Sequence, residues 1–92
     1  MRFANRTDDN QPAIVEALRA AGVKVEIVGR PLDLLCAVKR GSRYETLFIE
    51  VKDEDGRFTK VQAEFMASWP GEVHICRTPE EALRAAFGEM MK

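Results

Sequence analysis

Histidine and cysteine are scarce in this 92-residue chain, which has one histidine, His74, and two cysteines, Cys36 and Cys76. Zinc ribbons and fingers need ligands in close pairs, so these three residues build neither. Catalysis that needs two histidines is excluded with them. Each cysteine sits in an apolar run, the setting of a buried thiol, which leaves a nucleophilic Cys36–His74 pair as the minor alternative. The six glycines are scattered singly, so there is no glycine-rich loop to cradle a phosphate. Asp53-Glu54-Asp55-Gly56 fails as a calcium loop: with Gly56 at the sixth loop position, Val51 and Gln62 occupy the first and twelfth, where carboxylates belong. No apolar run approaches the roughly 20 residues of a bilayer-spanning helix, and Met1 leads into no signal-peptide core. The expectation is one domain over residues 1–92, cytoplasmic and off the membrane.

What the chain does have is a globular composition, 46% hydrophobic and 32% charged, with a formal net charge of −1. That charge offers no overall attraction to phosphates. Residues 1–9 read as a polar arm, and Asp8, Asp9 or Asn10 can cap a helix that opens on Pro12. Ile14, Val15, Leu18 and Ala21 recur at helical spacing until Gly22. Val23, Val25 and Ile27 alternate with charged residues as a strand, and Asp33 to Lys39 is a second. Arg40-Gly41-Ser42-Arg43 is a hairpin turn into a third strand, Tyr44 to Lys52. An acidic loop follows, and Thr59 then caps a helix with Val61, Phe65, Met66 and Trp69 on one side, expected as core. A short strand from Glu72 to Arg77 has Val73 and Ile75 on one face. Thr78-Pro79-Glu80-Glu81 reads as a capping box before a last helix striped by Leu83, Ala86, Phe87 and Met90. The predicted class is α/β in the order α-β-β-β-α-β-α, with a mixed four-stranded sheet flanked by helices.

In the third strand, alternation places Leu47, Ile49 and Val51 on one face and Phe48, Glu50 and Lys52 on the other. Asp33 opens the hairpin neighbour of this strand, within reach of Glu50. Two carboxylates on adjacent strand ends suit Mg²⁺ or Mn²⁺, and an ammonium one pleat beyond could orient or activate a water. Glu-X-Lys alone usually marks a solvated strand end; Asp33 and the element order are what lift the reading above that.

Pro31-Leu32-Asp33 followed by Glu50-Val51-Lys52, in this element order, resembles the PD-(D/E)XK nuclease superfamily and its restriction-endonuclease-like core. The nearer likeness is to small VRR-Nuc and Holliday-junction-resolvase-like members, including short phage-type nucleases. It runs from about Asp9 to Ala86 and takes in Asn10-Gln11-Pro12-Ala13-Ile14-Val15 ahead of Leu18-Arg19, the Gly-X-X-X-Asp-Leu-Leu segment from Gly29 to Leu35, Ile49-Glu50-Val51-Lys52, Thr59-X-X-Gln62-X-X-Phe65, and Arg77-Thr78-Pro79-Glu80-Glu81-Ala82-Leu83. The resemblance implies a Mg²⁺- or Mn²⁺-dependent endonuclease acting on branched or structured DNA as a homodimer, in a bacterial or phage-infected cell. It implies Asp33, Glu50 and the Val51 carbonyl as metal ligands, Lys52 as the lysine that positions the attacking water, and Gln62 as a supporting residue. Superfamily members often carry a first-helix glutamate near the metal, and Gln11 stands in its place here. Glu16 is no substitute, because it lies about 160° around the helix from both Ile14 and Leu18. Arg19, Arg30, Arg40, Arg43, Arg57 and Lys60 are candidate phosphate contacts, with Arg30, Arg57 and Lys60 nearest the site in sequence. The departure at Gln11 keeps open a non-catalytic nucleic-acid-binding or protein-interaction domain with the same fold. His74 is expected to be a hydrogen-bonded strand residue and not a ligand.

Overall fold

Proline in the first turn of α1 (Gln11–Ala20) occupies a position whose N–H would have no helical partner. The helix ends at Gly22, whose φ of +91° lets its N–H reach Arg19 O while Val23 N–H reaches Leu18 O. That is a Schellman closure, and Leu18 and Val23 are both buried beneath it. The start of α1 departs from expectation: Asn10 is the N-cap by position, yet its side chain makes no capping bond. The computed structural model describes residues 9–53 and 56–88, so Asp8, most of the expected arm, Glu54, Asp55 and Met90 lie outside the described residues.

The remaining elements are β1 (Lys24–Ile27), β2 (Leu34–Arg40), β3 (Arg43–Val51), α2 (Lys60–Ser68), β4 (Val73–Cys76) and α3 (Pro79–Phe87). The order is the predicted one. The strands form one sheet in the order β1-β2-β3-β4, with β1, β2 and β3 antiparallel and β4 parallel to β3. Gly41 and Ser42 make the two-residue turn between Arg40 and Arg43. Leu34 pairs with Ile49, so Asp33 falls opposite Glu50 one step beyond the ladder.

One face of the sheet presents Val25, Leu34, Cys36, Val38, Leu47, Ile49, Val51 and Cys76 to Ile14, Val15 and Leu18 of α1 and Ala82 and Ala86 of α3. Burying each large aliphatic side chain there contributes about 1.5–3 kcal/mol. Among the described residues, α2 alone covers the opposite face. Phe48 meets Phe65 and Trp69 edge-on at 5.5 and 5.6 Å, and Phe65 stacks on Trp69 at 5.2 Å.

Val73 and Ile75 share one face, as expected; it is the α2 face, with Phe48 and Glu50, while Cys76 pairs with Val51 on the core side. Two expectations are corrected here. The α2 stripe is a half-wet cover, not core: Trp69 is 43% exposed and Val61 69%, because nothing among the described residues packs on the outer side of α2. The capping box belongs to α2, where Thr59 Oγ1 accepts from Gln62 N and Gln62 Oε1 accepts from Thr59 N. At α3, Thr78 Oγ1 accepts from Glu81 N, but Glu81 Oε1 takes the N–H of Arg77 instead of closing the box.

Candidate catalytic and metal site

Because side chains alternate along β3, burying Leu47, Ile49 and Val51 against the helices sends Glu50 and Lys52 to the α2 face. Glu50 is 1% exposed, and both of its oxygens are held. Oε1 accepts from the backbone N–H of Asp33 at 3.2 Å. Oε2 accepts from Gln62 Nε2 at 2.8 Å and pairs with Lys52 Nζ at 3.2 Å. Asp33 returns the contact through Oδ2, which accepts from Val51 N–H at 2.9 Å. The two hairpin-paired strand ends are therefore laced together by their carboxylates.

Burial, and then the neighbouring charge of Asp33, hold the Glu50 carboxyl above the ordinary carboxylate range; Lys52 pulls in the opposite direction. Lys52 Nζ also donates to Arg57 O at 2.8 Å and to Gln62 Oε1 at 3.4 Å, and lies 5.0 Å from the centre of the Phe58 ring. Gly56 leaves room for it: a Cβ there would stand 2.8 Å from Lys52 Cδ and 3.0 Å from Lys52 Cβ and would shift the lysine stem. The Gly56-Arg57-Phe58 segment thus forms one wall of the lysine's channel, and α2 forms the other through Gln62.

Asp33, Glu50, Lys52 and Gln62 are brought together as the sequence predicts, and the Val51 backbone joins them. Gln11 is buried at 6% exposure and Glu16 is exposed, in line with the helical phase. The Gln11 amide makes no hydrogen bond to Asp33 or Glu50; it lines a groove with Val15, Arg19 and Ile27 between α1 and the β1 edge. Among the described residues no group of three or more His, Cys, Asp or Glu side chains converges, so two carboxylates are the charged oxygen donors of the site.

Arg30, Arg57 and Lys60 are exposed around this end of the sheet. Arg40 is not available to phosphate. Its guanidinium bonds Glu45, both oxygens of Glu72, and the carbonyls of Ala85 and Ala86 at the end of α3. Arg19 is exposed and donates one bond, from Nη2 to Val25 O at 2.9 Å. His74 is the expected hydrogen-bonded residue, with Nε2 2.7 Å from Glu72 Oε2. Burial pushes the Cys36 thiol up to about 11; burial, with the charges of Glu81 and Cys36, pushes Cys76 up to about 12. Neither is a thiolate nucleophile at neutral pH.

Phe58, at this end of the sheet, carries no sequence signal; Asn10 belongs to a segment of the resemblance and points from sequence only to a local cap. Comparison of the chain with protein-family models, with curated proteins and with solved structures finds no match in any of the three.

Proposed function

We propose that this protein is a metal-dependent nuclease that hydrolyses phosphodiester bonds in DNA, built on the restriction-endonuclease-like plan its sequence resembles. The observation that carries the reading is the convergence of Asp33, Lys52 and Gln62 on one buried carboxylate, Glu50. A strand end that served solubility alone would leave its Glu and Lys in water. Here the pair is sunk into the protein, and its lysine is held from three sides.

The donor set fits a hard divalent cation. Asp33 and Glu50 crowd negative charge at the sheet end, and Glu50 bears the cost as a raised proton affinity. Oxygen donors of this kind select Mg²⁺ or Mn²⁺. Asp33 and Glu50 would hold the ion with the Val51 carbonyl, whereas Gln11, in the groove between α1 and the β1 edge, is not among its ligands. Once bound, the ion supplies Lewis-acid charge beside the phosphodiester.

The chain's own residues do the rest. Lys52 orients the attacking water and offsets charge developing on the phosphate oxygens. Gln62 fixes the Glu50 carboxylate from the other side. Arg30, Arg57 and Lys60 flank the site as phosphate contacts, and a homodimer would present two such sites to two strands.

The test is cleavage of linear, nicked and four-way-junction DNA with and without Mn²⁺. Asp33→Asn, which keeps an acceptor for Val51 N–H, and Lys52→Met should each lower the rate at least about a hundredfold in a folded protein. Wild-type cutting by either variant refutes the assignment. A wild-type protein that neither binds Mn²⁺ nor cuts DNA is the non-catalytic binding domain instead.

A further inference from the structure

Four chain segments meet at the C-terminal ends of the parallel pair β3 and β4. Lys52, the first residue past β3, donates its N–H to Cys76 O at 3.1 Å. Arg77, the first past β4, donates its N–H to Glu81 of α3. The carbonyls of these same two residues accept from a single nitrogen, Asn10 Nδ2, at 3.1 Å for Lys52 and 2.7 Å for Arg77. Asn10 stands at the start of α1, 42 and 67 positions away along the chain.

This arrangement has two local costs. Asparagine is among the best N-cap residues, yet Asn10 leaves the first turn of α1 without a side-chain cap. Its Oδ1 is also buried without a partner, the one such side-chain atom among the described residues. Turning the amide over would set Oδ1 against two carbonyl oxygens, so the orientation is fixed by chemistry. With its backbone helical at φ −85° and ψ −8°, and its acceptor without a partner, the side chain is held in place for its nitrogen.

We propose that Asn10 is a positioning residue for Lys52. By tying Lys52 O to Arg77 O it fixes the peptide at which Lys52 leaves the β3 ladder, and hence the direction from which its ammonium meets Glu50 and Gln62. The catalytic consequence rests on the nuclease reading; the tie itself does not.

Asn10→Ser tests both. Serine removes the bridging nitrogen, and because Asn10 has helical backbone angles and makes no side-chain cap, the start of α1 loses no capping bond when the tie is lost. In Mn²⁺-dependent cleavage, kcat per folded molecule should fall about tenfold or more with KM for DNA unchanged, the mark of a misplaced reacting group. A merely structural role would lower the folded fraction and leave kcat per folded molecule intact. Amide hydrogen exchange is measured alongside: Lys52 N–H should exchange faster in the variant, with Leu47 and Ile49 unchanged. Wild-type kcat in Asn10→Ser, in a protein whose wild type cuts DNA, overturns the positioning role and leaves the nuclease standing. If the wild type cuts nothing, the nuclease reading falls, and exchange alone decides the tie: unaltered exchange at Lys52 overturns it, and faster exchange confined to that strand end upholds it.

Discussion

Gln62 is where stability and the candidate site can be separated by a pair of substitutions. Its Nε2 donates to a carboxylate oxygen of Glu50 that is almost fully buried, and its Oε1 closes the capping box on Thr59. Gln62→Ala removes both. A hydrogen bond to a charged, buried acceptor contributes about 1.5–3 kcal/mol, and leaving Glu50 Oε2 with Lys52 alone puts the loss in that range. The lost half of the capping box adds a few tenths. With a urea slope of about 1–1.5 kcal/mol per molar for a domain this small, the midpoint should fall by about 1–3 M. Gln62→Glu keeps the box, since glutamate closes it as well as glutamine does, but places a second carboxylate at the 2.8 Å contact. If the Glu50 contact dominates, Gln62→Glu is at least as destabilised as Gln62→Ala at pH 7. Mn²⁺ should then raise its midpoint more than it raises that of the wild type, because the cation offsets the added charge. A Gln62→Glu protein with wild-type stability would show that the capping box, and not the carboxylate contact, is what α2 contributes, and the reasoning would fail.

Two further outcomes follow from other contacts. The Arg40 guanidinium, against the opposing effect of burial and with help from His74, holds the Glu72 carboxyl down to about 2 from an ordinary 4.5. A depressed pKa gives stability that is present above pH 4.5 and lost as pH falls toward 2. Glu72→Gln should therefore flatten the acid limb of the stability profile between those values, as followed by thermal melts; an unchanged limb would sink the account. Gly56→Ala would press a methyl group onto the Lys52 stem. The ammonium should leave Arg57 O, and cleavage should fall with little change in DNA affinity, measured by single-turnover kinetics beside equilibrium binding.

The element order and the grouping of Asp33, Glu50 and Lys52 were legible because both depend on short-range rules. Alternation along β3 assigns Glu50 and Lys52 to one face, and the hairpin at Gly41-Ser42 fixes Asp33, just before β2, opposite Glu50. Gln62 was expected at the site only through the family resemblance, and the Thr59-X-X-Gln62 spacing carries its capping partnership as well. What the sequence hid depends on distant partners. Arg40 looks like a free surface cation until the hairpin end is brought to Glu72 and the carbonyls ending α3. Asn10 looks like a cap until Lys52 O and Arg77 O arrive beside it. Trp69 and Val61 share the spacing of core residues, and spacing cannot say whether a further layer lies beyond them.

The two faces of β3 explain how a domain this small can keep a charged pair inside. On the α1 and α3 side the sheet is sealed by aliphatic packing, which supplies the hydrophobic stabilisation without asking anything of the other face. The α2 side is thin. One nine-residue helix covers it, and none of that helix's residues is fully buried. Such a cover cannot desolvate Glu50 by bulk, so the burial of Glu50 comes from polar groups fitted around it: the Asp33 N–H, the Gln62 amide and the Lys52 ammonium. Each of these is a donor, and together they leave the carboxylate paired but still close to Asp33, whose charge they do not cancel. A site assembled this way is stable as a protein interior and remains short of positive charge. The net charge of −1 is therefore a poor guide to what the molecule binds. What matters is its distribution: Arg40 is consumed by the fold, whereas Arg30, Arg57 and Lys60 stay exposed at the end of the sheet where the acids are gathered.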